Sequence, residues 1–382
     1  MTGVRVKKSG AKAFLPEPEP RTEEKLYVAS QWQLMWWKFR KHRLALVSGI
    51  VLILIYTLGI FCEFFAPYNP NAFDTQYVYA PPQVPRFFTK DGFSLRPVVY
   101  GYKRQINPET LRRTYVPDPD KVYPIYFFVR GEPYKLLGLW DTDIHLFGVK
   151  EGTMFILGTD RMGRDMFSRI LYGARISTSI GLVGVFVSFV LGILVGGFSG
   201  YYGGVVDHVV QRLIEFLRSI PTIPLWMALS AALPAHWPPL RVYFGITIIL
   251  SLIGWTGLAR VVRSKFLSLR EEDFVKAARF CGASQTRIVL RHMVPSFLSH
   301  IIASITLAIP DMILGETSLS FLGVGLRPPV ISWGVLLQEA QNVRTVALAP
   351  WLLLPGVFVV ITVLAFNFLG DGLRDAADPY TR

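Results

Sequence analysis

Ile176-Ser-Thr-Ser-Ile-Gly-Leu-Val-Gly-Val-Phe-Val-Ser-Phe-Val-Leu-Gly-Ile-Leu-Val-Gly-Gly-Phe198 contains no charged side chain. A bilayer core is about 30 Å thick, and a helix needs about 20 apolar residues to cross it. This stretch therefore reads as a membrane span, and the chain repeats the pattern. Leu44–Phe65 and Trp351–Leu369 reach the same length, with Glu63 the one charge, at the very end of the first. Val242–Leu258 is uncharged and slightly shorter. Val209–Leu233 is apolar but opens on Arg212, Glu215 and Arg218 and holds Pro221 and Pro224, and Phe297–Phe321 holds Asp311 and Glu316. Taken with the four clean segments, both read as spans, which makes the expected fold an all-α membrane protein with six transmembrane helices.

Only 18% of the 382 residues are charged, against about 25% in soluble domains. The net charge of +13 would suit nucleic acid, but lysine and arginine beside membrane spans give another reason for it. Residues 1–43 hold ten of them, and the segment 259–295 holds Arg260, Arg263, Lys265, Arg270, Lys276, Arg279, Arg287 and Arg291. The loop 234–241 has only Arg241. The positive-inside rule then places the N-terminus and 259–295 in the cytoplasm. An even number of spans between them satisfies both, and the C-terminus is expected on the same side. No nucleic-acid partner is expected. Cys62 and Cys281 fall on opposite sides, so no disulfide framework is expected.

The chain divides further. Residues 1–30, with Pro16-Glu17-Pro18-Glu19-Pro20, have the composition of a disordered cytoplasmic tail. Residues 31–43 mix Trp32, Trp36, Trp37 and Phe39 with Lys38, Arg40 and Lys41, which suits an interfacial helix against anionic lipid. Transmembrane helix 1 is expected at 44–65. Residues 66–155 form an extracytoplasmic insert rich in Pro and aromatics, with β-prone runs such as Val122–Arg130 and His145–Val149 and turn signals at Asp91-Gly92 and Arg130-Gly131. A mostly β or irregular module is expected there. Residues 156–382 carry the remaining spans, helices 2–6.

No G-x-x-x-x-G-K-[ST] phosphate loop, H-E-x-x-H, C-x-x-C or G-x-S-x-G occurs, and the six histidines are scattered. The chain is therefore expected to catalyse nothing itself and to hold no metal. Its informative segment is the basic loop 268–292. Glu271–Phe280 reads as a short amphipathic helix with Phe274, Ala277, Ala278 and Cys281 at helical spacing. Gly282 can take positive φ and end it; Ser284 can cap a second helix through Arg291; Pro295 marks the start of the next span. The result is a compact cytoplasmic knob.

That segment resembles the coupling loop of binding-protein-dependent ABC importer permeases, which reads Glu-Ala-Ala, then Gly, then Ile and a terminal Pro. Ala277, Ala278, Gly282, Ile288 and Pro295 match, and Lys276 stands where the family usually has Glu. Gly158, Asp160, Gly163, Arg164 and Asp165, together with Gly200-Tyr-Tyr-Gly-Gly204, Leu319-Ser-Phe-Leu-Gly323, Ser332-Trp-Gly334 and the tail through Asp378-Pro379, resemble the C-type permease subunits of oligopeptide, dipeptide and nickel importers. The resemblance implies the type I ABC importer permease fold and a homologous sister permease. It also implies two ATP-binding subunits that use ATP and Mg, and an extracytoplasmic solute-binding protein, all in the bacterial inner membrane. Peptides are the expected cargo; nickel chelates, opines and glutathione travel through relatives with the same motifs. A self-contained secondary transporter is the rival reading, but the clean spans lack ionisable relays.

An Asp at mid-membrane costs about 2.5–3.5 kcal/mol, so Asp311 and Glu316 are expected to face protein or water. Either they line the pathway, or they are structural or interfacial. Five residues apart, they do not share a helix stripe.

Overall fold

The structure, a computed structural model, describes residues 31–377 apart from 90–91, 107, 109–112 and 235. The expected tail 1–30 and the Asp378-Pro379 end of the C-terminal motif lie outside the described residues. Helix α1 (Gln31–Lys41) precedes α2 (Arg43–Ile60), and a short α3 (Cys62–Phe65) follows. Strands β1 (Arg86–Thr89), β2 (Gly92–Ile106) and β3 (Arg113–Pro124) form one antiparallel sheet; β4 (Tyr126–Leu136) and β5 (Trp140–Gly148) form a separate hairpin. The helical body follows: α4 (Met166–Tyr202), α5 (Gly204–Ser219), α6 (Thr222–Ala231), α7 (Pro239–Leu269), α8 (Asp273–Phe280), α9 (Leu298–Phe321), α10 (Trp333–Leu337), α11 (Val343–Leu348) and α12 (Leu354–Ala377).

Among the described residues, five helices are long and apolar enough to cross a membrane. The expected span Val209–Leu233 is not one of them: it is the two helices α5 and α6, broken at Ile220-Pro221. The residue before a proline is pushed to extended backbone, and Ile220 holds φ −87° and ψ 129°.

Helices α4 and α7 pack along most of their length, and small residues make that approach close. Ser251 Oγ donates to the Gly184 carbonyl at 3.0 Å. A Cβ at Gly192 would lie 2.9 Å from Leu258, one at Gly196 2.4 Å from the Ala259 carbonyl oxygen, and one at Gly200 2.7 Å from the Arg263 carbonyl oxygen. Gly184, Ser188, Gly192, Gly196 and Gly200 recur every four residues, which lines them on one face. Partner numbers rise together on both helices, so α4 and α7 are parallel. The chain between them must return. Asp207 pairs with Arg263, Ile214 packs with Ala259 and Trp255, Trp226 packs near Leu250, and Leu233 reaches Gly245. The α5–α6 segment thus runs antiparallel to α7 from end to end.

A second tie joins α4, α9 and the segment 326–335. Glu316 is fully buried. Its carboxylate accepts from Ser177 at 3.0 Å, Ser320 at 2.8 Å and Ser332 at 2.6 Å. Each serine in turn accepts a backbone N–H: Trp333 to Ser177 at 3.1 Å, Leu326 to Ser320 at 3.0 Å and Val335 to Ser332 at 3.2 Å. Trp333, also fully buried, donates its indole to the Ile170 carbonyl at 3.1 Å. Glu316→Ala would strand three hydroxyls and leave a void, a loss of roughly 3–5 kcal/mol. Thermal unfolding in detergent should fall by roughly 10 °C, whereas Glu316→Gln, which keeps an acceptor, should fall less.

Candidate functional site

The loop 268–292 is built as a knob. Helix α7 ends at Leu269; α8 begins at Asp273 and closes at Cys281, and Gly282 follows with φ +76°. The Ala283 N–H bonds back to the Ala278 carbonyl at 3.1 Å and the Gly282 N–H to the Arg279 carbonyl at 3.0 Å, a glycine-terminated helix end. Ser284 then caps the next turn, accepting the Arg287 N–H at 3.4 Å. The second helix departs from expectation: it is α-helical only over Gln285–Arg287, and Ile288–Met293 is π-wound before Val294–Ser296.

The buried face of α8 also differs from the expected one. Val275, with Ala278 partly buried, faces inward, while Phe274, Ala277 and Cys281 are exposed. Val275 packs with Ile288 and Met293 onto Val262 and Phe266 of α7 and onto Phe297 and Ile301. A helix this short buries one narrow stripe, and the aliphatic Val275 takes it in place of the aromatic Phe274. The outward surface carries Phe280, 91% exposed, which sequence reading passed over as a helix end. Lys276 is exposed and 3.8 Å from the equally exposed Glu271, a pair of small energetic weight. Pro295 is exposed beside the π-wound turn.

The Gly158–Asp165 motif forms a lock at the other end of the molecule. Asp160 is buried and accepts the Met162 N–H at 2.8 Å, the Arg164 N–H at 3.0 Å and the Arg164 Nε at 2.6 Å. Arg169 lies 3.5 Å away, and Arg164 reaches on to Glu339 at 3.7 Å. Gly158 and Gly163 hold φ +76° and +74°, and a Cβ at Gly163 would sit 1.9 Å from the Asp74 carbonyl oxygen. The backbone of Thr159 accepts from the Trp351 indole at 2.9 Å. The motif therefore clamps the segment near Asp74, the start of α4 and the segment near Trp351.

Asp165 caps α4, its carboxylate accepting the Ser168 N–H at 2.8 Å and the Ser168 hydroxyl at 2.7 Å. Burial, opposed by those Ser168 bonds, pushes its carboxyl up from 3.8 to about 6.

Asp311 and Glu316 are not brought together. Glu316 lies in the interior tie described above. Asp311 is exposed and lines a cavity of about 500 Å³ between α6, α7 and α9, with Arg218, Trp226 and Ser318 on its walls. Asp311 also lines a neighbouring cavity of about 360 Å³ beside Ser188 and Ser304. Glu63, the other carboxylate noted in sequence, is buried and clasped by Arg175 through both carboxylate oxygens at 2.6 Å. No group of three or more His, Cys, Asp or Glu able to hold a metal ion occurs among the described residues.

Residues 188–382 match the binding-protein-dependent transport system inner membrane component, and residues 30–82 match the N-terminal TM domain of oligopeptide transport permease C. The chain belongs to this permease family. The oligopeptide transport system permease protein OppC of Haemophilus influenzae is 40% identical over 246 residues, 63% of this chain and 76% of that one. OppC of Escherichia coli K12 is 42% identical over 231 residues, 59% and 72% of the two chains. The dipeptide transport system permease protein DppC of Bacillus subtilis is 38% identical over 227 residues, 59% and 68%. A chain of the MetNI methionine ABC transporter in an inward-facing conformation superposes with a TM-score of 0.43 at 19% identity, over 56% of this chain and 98% of that one. The knob and the larger Asp311 cavity lie inside the first matched range. The permease's β module, from Arg86 to Gly148, falls between the two ranges.

Gly282→Val should strain the left-handed turn by about 1–3 kcal/mol, with open space around the new side chain. On the coupling role that the sequence resemblance implies for this loop, the permease should still insert, but substrate uptake should fall sharply and ATP hydrolysis by partner ATPases should lose its stimulation by loaded binding protein. Lys276→Ala should leave both close to wild type; reconstituted complexes give both readings.

Asp165 also sets a pH dependence. Its folded-state pKa is raised, so its contribution to stability is fully present below about pH 4 and is lost as pH rises through about 6. Asp165→Asn keeps the cap and cannot ionise. Wild type should therefore lose stability relative to Asp165→Asn across that window, by at most about 3 kcal/mol. Thermal midpoints of both proteins over the pH range would measure it.

Proposed function

We propose that this permease is one of two homologous membrane subunits of an ATP-driven importer of oligopeptides or dipeptides. The observation that carries the reading is the knob: a packed, glycine-hinged helix pair on the basic side, presenting Phe280 outward and seated on the inner ends of α7 and α9. It suits docking to one of two cytoplasmic ATPases, and it occurs in a chain with no phosphate loop of its own. The relatives named for oligopeptide and dipeptide transport supply the cargo class.

Six crossings complete the topology. Parallel packing of α4 with α7 requires a return between them, and the antiparallel α5–α6 segment supplies it as a third crossing in two pieces. Both termini and the knob are then cytoplasmic, α1 lies at the inner interface, and the β module is extracytoplasmic, where a solute-binding protein would deliver cargo. Asp311 is the pathway residue of this reading. An exposed carboxylate on a span is tolerated where water or protein meets it, not lipid, and Arg218 shares its cavity. The face formed by α6, α7 and α9 is therefore the one turned to the sister permease and the pathway.

A tagged chain should co-purify with a sister permease and two ATPases. Phe280→Asp should lose the ATPases and keep the sister; loss of neither, or of both, would contradict the docking role. Topology has its own readout. Cys62 is buried and Cys281 exposed, so the chain expressed without ATPases carries an accessible thiol on the knob. A membrane-impermeant maleimide should label it only in opened cells.

A further inference from the structure

The β4–β5 hairpin turns through Leu136-Leu137-Gly138-Leu139-Trp140, with no charged or hydroxyl side chain. The expected turn at Arg130-Gly131 lies instead within β4, where the register shifts. Hairpin turns in water draw on Asn, Asp and Gly. This one places Leu137 at φ +53°, uncommon for a bulky residue, and leaves Leu139 72% and Trp140 62% exposed.

Two sets of contacts place the hairpin beside α3 and the start of α4. Along α3, His145 Nδ1 lies 2.6 Å from the Ala66 carbonyl and the Phe128 ring 6.3 Å from Phe64, while the Tyr134 ring lies 4.8 Å from that of His145. At the start of α4, the Phe147 ring lies 5.6 Å from Phe167. The hairpin body, with Phe128, His145 and Phe147, is therefore level with the outer ends of these helices. Gly138 stands roughly 10 Å beyond Tyr134, at about 3.4 Å per residue.

The surroundings suit lipid. Ile60 and Phe61 at the end of α2 are exposed, as are Phe127 and Phe128 on the hairpin. Charge begins one rung above the turn, with Lys135 paired to Asp141 at 3.9 Å, and continues with Arg130 and Asp143. An apolar tip, a tryptophan and then a charged band is the order found across a membrane interface. None of the residues lining the Asp311 cavities comes from α2 or α3, so the tip is not on the face open to a sister permease.

We infer that the tip of the β4–β5 hairpin is a lipid anchor, seated in the bilayer interface beside the outer end of α2 and holding the β module against the membrane. Leu139→Cys in a Cys281→Ser background, labelled with an environment-sensitive fluorophore, tests it. The full chain would be reconstituted in phosphatidylcholine–phosphatidylglycerol vesicles. A nitroxide carried on the lipid near its headgroup should quench this probe several-fold more than aqueous iodide does. A probe at Leu95, 91% exposed on β2, should show the reverse. Trp140→Cys repeats the measurement should the first variant misfold. Iodide quenching at residue 139 equal to that at residue 95 would overturn the anchor. So would protection from both quenchers, which would mean a protein covers the tip.

Discussion

The architecture depends on one close approach, that of α4 to α7. Helices in lipid gain nothing from hydrophobic burial against each other, so they associate where small residues let backbones touch. Gly192, Gly196 and Gly200 do this, each meeting α7 at a distance that a Cβ would close. Because the two helices are parallel, two consecutive elements cannot be joined by a short loop. The chain must come back, and it does so through α5 and α6. That return carries Arg212, Glu215, Arg218 and two prolines. A return segment that faces water or protein can hold such residues, whereas a lipid-facing helix cannot do so cheaply.

Buried carboxylates tie the remaining pieces, each by a different solution to the cost of burying charge. Glu63 has an arginine with matched two-pronged geometry. Asp160 has Arg164, Arg169 and backbone donors. Glu316 has no cation among its hydrogen-bond partners, only hydroxyls that are themselves held by backbone N–H groups. The serines near Glu316 come from positions far apart in the chain, and one acceptor fixes all of them. These ties lock the N-terminal half of α4 and the C-terminal half of α9 to the segments between and beyond them.

Much of this was legible in sequence, because long uncharged runs and a glycine between two amphipathic turns each have one dominant physical reading. The β character of the insert was legible from its composition, and so was the need for Glu316 to avoid lipid. Other features were hidden for definite reasons. The break at Ile220-Pro221 sits inside an apolar run, and hydropathy averages over it. The four-residue spacing from Gly184 to Gly200 was present in the sequence, but its partner on α7 is a tertiary fact. The apolar hairpin tip misled turn reading, because turn propensities describe turns in water. Val275 rather than Phe274 faces inward because the knob packs against side chains from both α7 and α9, which no local pattern encodes.

The two connections to the knob differ in build. Helix α7 leads into it through Leu269 and the Arg270 cap, with Phe266 and Val262 packed on Val275. On the other side the chain passes through the π-wound Ile288–Met293, then breaks at Phe297 before α9 begins. π turns are rare and are found frequently at functional sites. The knob is thus joined to α7 by a short packed connection and to α9 through a π turn and a break. Those two helices, with α6, wall the cavity at Asp311. In the importer proposed above, a push at the knob would reach α7 and α9 through these two different joints, and relative movement of the two helices would open or close that cavity.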